Sequence, residues 1–172
     1  MTISFKDKVV IVTGAGGGLG RSHSLEFAKR GAKVVVNDLG GSVDGSGGSS
    51  DAANNVVKEI TEAGGVAIPN GSSVTDDDGV KNMVDQTMDE FGRIDILINN
   101  AGILRDRSFT KMTIEDFTLV TDIHLMGSVK PTKMVWEIMK EQNYGRILVT
   151  TSSTGLYGNF GQSNYGAVKL GV

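Results

Sequence analysis

Short β-branched runs alternate with longer amphipathic stretches along this chain. Lys8 to Thr13 (KVVIVT), Lys33 to Asn37 (KVVVN), Val66 to Ile68, Ile94 to Ile98 and Arg146 to Thr151 read as strands. Leu19 to Lys29 reads as a helix with Leu25, Phe27 and Ala28 inward, and Gly31 stops it. Asp51 caps a second helix that runs through Ala63 and ends at Gly64–Gly65. Asp76 to Phe91 is a third, stopped by Gly92, and Thr113 opens a long helix that reaches about Glu141. A loop follows the fifth strand, and a last helix opens near Asn164. The strand segments are near-continuous apolar runs, as strands covered on both faces require. Strand–helix–strand repeated this way predicts an α/β fold with a doubly wound parallel sheet. No internal repeat or domain boundary interrupts it. Residues 1–172 read as one dinucleotide-binding domain, with the Gly/Ser loop from Gly40 to Ser50 an elaboration inside it.

Composition narrows the function. Of 172 residues 24 are glycine and only 2 are proline, with no collagen-like period. The net charge of −3 comes without a basic run, so nucleic-acid binding has no electrostatic footprint. There is no cysteine, which removes disulfides and thiol nucleophiles, and fits a reducing interior. With only His23 and His124, no metal site is expected. Apolar runs such as Val9 to Val12 are too short to span a bilayer, and Met1 to Lys6 does not read as a signal peptide.

The glycines have positions that matter. Thr13-Gly14-Ala15-Gly16-Gly17-Gly18-Leu19-Gly20 joins the first strand to the first helix. That is where an α/β sheet sets a phosphate on helix N-terminal N–H groups, and glycine lets the backbone come close. The spacing is Gly14-x3-Gly18-x-Gly20, not the G-x-G-x-x-G fingerprint, because Leu19 stands at its last position. Gly14, Gly18, Leu19 and Gly20 are the candidate phosphate contacts. Asp38 ends the second strand, where a carboxylate accepts hydrogen bonds from a ribose diol and repels a 2′-phosphate. No cation stands nearby in the turn, which favours NAD over NADP. Asn100, Ala101 and Gly102 follow the fourth strand and allow close cofactor approach, with Asn99 and Asn100 placed to brace the sheet.

Tyr165 and Lys169 share one face of the last helix. Tyrosine ordinarily titrates near pH 10, too high for a base near neutrality, and a neighbouring cation favours the phenolate. Ser152 ends the fifth strand, placed to bond a substrate oxygen while Tyr165 exchanges the proton; Ser153 is a competing choice. Hydride transfer to or from a nicotinamide would complete an alcohol–ketone interconversion.

These motifs together resemble the short-chain dehydrogenase/reductase family over essentially the whole chain. The resemblance rests on T-G-x3-G-x-G at Thr13 to Gly20, N-N-A-G at Asn99 to Gly102, Ser152, and Y-x3-K at Tyr165 to Lys169. It implies a Rossmann-type sheet, catalytic roles for Ser152, Tyr165 and Lys169, and a nicotinamide-ribose contact from Tyr165 and Lys169. Three stretches resemble the family's β-oxidation branch, the (3R)-hydroxyacyl-CoA dehydrogenase units of peroxisomal multifunctional enzymes of type 2. They are Val34 to Ser42 with the insertion after it, Ala101 to Phe109, and Tyr157 to Tyr165. That branch implies NAD, a fatty acyl-CoA substrate, a homodimeric parent and a peroxisomal setting, or a cytoplasmic one in a bacterium. A 3-oxoacyl (ACP or CoA) reductase and a non-catalytic NAD-binding fragment are the alternatives.

The sequence departs from the family at two places. His124 stands where the wider family carries a catalytic asparagine; histidine fits the β-oxidation branch, and a place in the proton relay is expected of it. The aspartate that usually meets adenine is replaced in Ser72-Ser73-Val74. Two further parallel strands of the family sheet are absent, so five strands are expected, with the C-terminal ones missing. The chain then reads as a fragment of a longer protein, with Arg146 to Thr151 an exposed edge strand.

Overall fold

The computed structural model describes residues 3–48 and 51–172. The start of the N-terminal reading (Met1, Thr2) and the end of the Gly/Ser loop (Ser49, Ser50) lie outside the described residues.

Five parallel strands form one sheet in the order β3-β2-β1-β4-β5. They are β1 Val9–Thr13, β2 Lys33–Asn37, β3 Val66–Asn70, β4 Ile96–Asn99 and β5 Arg146–Val149. β1 is central, with Val10 opposite Val34 on one side and Ile96 on the other. All five of its residues are buried. One face, with Val10, Val12, Val34, Val36, Ile96 and Ile98, packs on helices α1 Gly18–Lys29 and α2 Asp51–Glu62 through Ala28, Ala53, Val56 and Ile60. The opposite face, with Ile11, Val35 and Leu97, packs on α3 Asp77–Phe91 and α5 Gly127–Glu141 through Met83, Val84, Val135 and Met139. The unbroken apolar runs are thus strands covered on both sides.

Local chemistry sets the helix ends. The Asp76 carboxylate accepts from the Gly79 N–H at 2.8 Å, opening α3, and Gly92 closes it at φ +72°. β3 runs two residues beyond its expected end. It passes through Pro69, which an edge strand tolerates because one side needs no N–H.

The second half corrects the expected single helix from Thr113 to Glu141. Thr113 does cap its start, accepting from the Asp116 N–H at 3.1 Å. The helix is α4 Ile114–Thr121, then a π turn Asp122–Met126, then α5. The expected loop after β5 contains a short helix, α6 Ser153–Tyr157, before α7 Ser163–Gly171. A 3₁₀ turn at Phe109–Lys111 was also not expected. β5 borders the described sheet with Leu148 and Val149 exposed.

Candidate active site

Because every strand is parallel, the loops after β1, β2, β4 and β5 all leave from one edge of the sheet. The glycine turn after β1 uses its glycines in two ways. Gly14, at φ +62°, sits where a Cβ would fall 2.7 Å from the Ala101 Cα, and a Cβ on Gly20 would strike the Gly14 carbonyl. These two permit close packing. Gly17 and Gly18 face open space, and Gly17 opens α1 with no side-chain cap. The first turn of α1 therefore presents a bare, positively polarised end.

Asp38 is half-buried beside it. Its Oδ2 accepts from the Gly16 N–H and its Oδ1 from the Gly40 N–H, both at 2.7 Å. The carboxylate ties the glycine turn to the Gly/Ser loop, and each oxygen keeps capacity for a further bond.

The loop after β4 is stitched to β1 by Thr13. The Thr13 hydroxyl donates to the Ile98 carbonyl and accepts from the N–H groups of Asn100 and Ala101 at 3.0 and 3.1 Å. The Asn100 amide donates to the carbonyls of Thr13 and Gly14, both at 3.0 Å. Asn99 donates to Thr132 Oγ1 at 3.0 Å. Both asparagines brace the strand ends, as the sequence suggested. Gly102 must be glycine, since a Cβ there would enter the His124 ring.

Tyr165, Lys169 and His124 meet on the other side of this loop. The Lys169 ammonium lies 5.6 Å from the Tyr165 ring centroid and donates to the Thr150 carbonyl. The side chain is buried, and burial pushes its pKa down. His124 meets Tyr165 edge-on, with ring centroids 5.3 Å apart. Its Nε2 lies 3.0 Å from the Ile103 nitrogen and 2.8 Å from the Ile103 oxygen. One ring nitrogen serves one of these at a time. Nδ1 is buried without a partner. Burial, chiefly, pulls the His124 pKa down to about 4; the bond to Ile103 opposes the fall and the Lys169 charge adds to it. The ring is neutral at ordinary pH.

Ser152 caps α6, its Oγ accepting from the Thr154 N–H at 3.2 Å. α6 packs closely on α7 at Gly155, where a Cβ would lie 2.8 Å from the Leu170 nitrogen. This sets the Ser152 end beside the helix of Tyr165. Ser153 is the first residue of α6. Leu19 is exposed on α1.

A family profile described as short chain dehydrogenase matches residues 8–172. The chain belongs to the short-chain dehydrogenase family. It is an oxidoreductase fold. The chain is 60% identical over 172 residues to peroxisomal multifunctional enzyme A of Dictyostelium discoideum, covering 100% of this chain and 38% of that protein. It is 54% identical over 170 residues to peroxisomal multifunctional enzyme type 2 of Mus musculus, covering 99% of this chain and 23% of that one. It therefore spans well under half the length of these curated relatives. Among solved structures, a 7α-hydroxysteroid dehydrogenase complexed with NADH and 7-oxo glycochenodeoxycholic acid superposes with a TM-score of 0.89 at 30% identity, covering 98% of this chain and 62% of that one.

A short-chain dehydrogenase works with a nicotinamide cofactor, and the residues here fit one. The uncapped α1 end, the open faces of Gly17 and Gly18, and the half-buried Asp38 form a cradle that side chains would fill. Among the described residues no cluster of His, Cys, Asp or Glu would hold a metal, and no helix is long and apolar enough to cross a membrane.

Sequence reasoning gave no role to the Thr13 hydroxyl, which joins two strand ends, or to Arg105, whose Nε donates to the Asp44 carbonyl. It also missed an amide network beneath Asp38: Asn37 donates to Asn70 Oδ1 at 2.7 Å and Asn70 donates to Gln86 at 2.7 Å. Asparagine at the end of a strand was the available signal for that network.

Proposed function

We propose that this short-chain dehydrogenase unit interconverts (3R)-3-hydroxyacyl-CoA and 3-oxoacyl-CoA with NAD, as a step of peroxisomal fatty-acid β-oxidation. The parent protein would act as a homodimer. The buried Lys169 ammonium above the Tyr165 ring carries the reading, because it places a fixed cation beside the one phenol suited to exchange a proton.

When bound, the cofactor supplies the hydride acceptor. Gly14, Gly18, Leu19 and Gly20 would hold its phosphates at the start of α1, and Asp38 would accept from the adenosine ribose, which favours NAD over NADP. Asn100, Ala101 and Gly102 would lie along the cofactor at the end of β4. Tyr165 removes the proton of the substrate 3-hydroxyl, and Ser152 hydrogen-bonds the same oxygen as it becomes a carbonyl. Lys169, whose ammonium stands 5.6 Å from the Tyr165 ring centroid, would also hold the nicotinamide ribose. His124 stands edge-on to the Tyr165 ring.

The test is NADH formation by the full-length protein supplied with (3R)-3-hydroxyacyl-CoA, its (3S) isomer, or steroid and sugar alcohols. Tyr165→Phe is expected to lower kcat/KM by about 10²–10⁴-fold while sparing NAD binding. Turnover retained in Tyr165→Phe sinks the proton-transfer role. Oxidation of steroid or sugar alcohols but not of the thioester sinks the substrate. A preference for NADPH would move the reading to a 3-oxoacyl reductase.

A further inference from the structure

β1 lies between β2 and β4, so the loops leaving β2 and β4 stand on either side of the glycine turn. These two loops touch each other. The Leu104 N–H donates to the Val43 carbonyl at 2.9 Å. Arg105 Nε donates to the Asp44 carbonyl at 2.6 Å. Gly45, at φ +84°, lies so close to Ile103 that a Cβ would sit 3.1 Å from its Cδ1. Contact between the loops that leave the strands flanking β1 crosses the C-terminal end of β1, where the glycine turn begins.

The loop has its own shape. The Ser42 N–H donates to the Ser46 carbonyl at 2.8 Å, and the Gly45 N–H to the Ser42 carbonyl at 2.8 Å. The Asp44 carboxylate accepts from the Ser46 N–H at 3.0 Å and from the hydroxyls of Ser42 and Ser46. Its near end is anchored where the Gly40 N–H meets Asp38. On the far side, Arg105 Nη1 lies 3.4 Å from Asp116 of α4. The Arg105 carbonyl accepts from Asn164, the neighbour of Tyr165, at 3.2 Å. One residue thus joins the loop to α4 and to the start of α7.

We propose that residues 41–47 form a strap closed over the nucleotide groove, and that Arg105 is the positioning residue that latches it, so that nucleotide exchange requires the latch to open. The proposal rests on the NAD reading above. Its parts are separable: the latch exists without nucleotide, and the exchange rate reports what it does. The anchoring residues divide the work. In the hydrogen bonds between the two loops Val43 and Asp44 contribute backbone carbonyls and Arg105 the one side chain, so a change at Arg105 weakens the latch. Gly45 is the point where added bulk would lift it.

Three variants test this on the folded chain: Arg105→Met, which removes the donor to Asp44; Gly45→Val, which crowds Ile103; and Asp116→Asn, which removes the ion pairs with Arg105 and Arg107 but not the latch. The readouts are amide hydrogen exchange across 41–47 without nucleotide, and NADH dissociation by stopped-flow fluorescence. In Arg105→Met and Gly45→Val the strap amides are expected to exchange faster and NADH to leave about tenfold faster, the worth of one charge-assisted hydrogen bond. Asp116→Asn is expected to stay within about twofold of the unsubstituted chain, since a partly exposed ion pair contributes little. Unchanged exchange at 41–47 in both latch variants overturns the strap. Faster exchange with an unchanged NADH off-rate overturns its role in nucleotide exchange. If the unsubstituted chain binds no NADH, the cofactor reading fails, and the exchange data still decide whether the latch exists.

Discussion

At the N-terminal edge of the sheet, the fully buried Asp95 carboxylate accepts from the Val9 N–H at 2.9 Å and from Arg93 at 2.7 and 2.8 Å, with Lys8 at 3.4 Å. Burial pushes its pKa up, but the bonds from Arg93 and Val9 and the two nearby cations outweigh it and hold the group below its ordinary value. At the C-terminal edge, Asn99 Oδ1 and His124 Nδ1 are buried with no partner, and glycine stands where side chains would otherwise pack. One edge uses its polar groups to hold strands together. The other keeps polar capacity and bare backbone in reserve, at a cost in stability that a structural edge would not carry. In open α/β sheets ligands bind outside the carboxyl ends of the strands, the edge where these unpaired groups lie.

Three substitutions probe the contrast. Asp95→Leu should have the largest effect on stability, about 3–5 kcal/mol, because it orphans the Val9 N–H and unpairs Arg93. Thermal melting measures it. NADH affinity of the folded fraction should be unchanged; a weakened affinity would show that the two edges are not independent.

The second probe is pH. His124 has its pKa lowered from 6.5 to about 4 in the fold. Between those values the unfolded chain binds a proton that the folded chain does not. Stability is therefore lost as pH falls from about 6.5 to 4, by up to about 3 kcal/mol. Urea unfolding across that window should show a steep loss, and His124→Asn should flatten it. An equal slope in the variant would assign the loss to other groups.

The smallest expected change in stability is at Gly18→Ala. Gly18 has φ +50° and open space around it, so the methyl costs about 1–2 kcal/mol of backbone strain and no clash. The same methyl projects into the cradle, so NADH affinity should fall about tenfold, a loss beyond the strain alone. Binding by titration calorimetry, set against melting, separates the two. An unchanged affinity would place the phosphates elsewhere.

Much of this architecture is legible in the sequence. The runs at Val9–Thr13 and Lys33–Asn37 could be nothing but strands buried on both faces, and Gly92 marks its helix end because only αL geometry fits there. Tyr165 and Lys169 lie one turn apart on α7. The π turn at Asp122–Met126 left no mark, because a five-residue widening changes the periodicity too briefly to read. α6 is too short to show a periodic face, though Ser152 as its cap was a usable sign. The strap was beyond reach for a different reason. Its anchors are backbone carbonyls, which carry no residue signature, and it joins positions about sixty apart in the chain.

Thr13 has a consequence for the order of folding. Its bonds to Asn100 and Ala101 close loops of 87 and 88 residues. Helices can form early from neighbours in sequence, but the cradle exists only after β1 and β4 have found each other, among the slower kinds of encounter in folding. A chain caught before that step has strands and helices and nothing that grips a nucleotide. The dinucleotide would then recognise only the finished molecule, and at a hundred times its dissociation constant it would add about 2.7 kcal/mol to the native state alone.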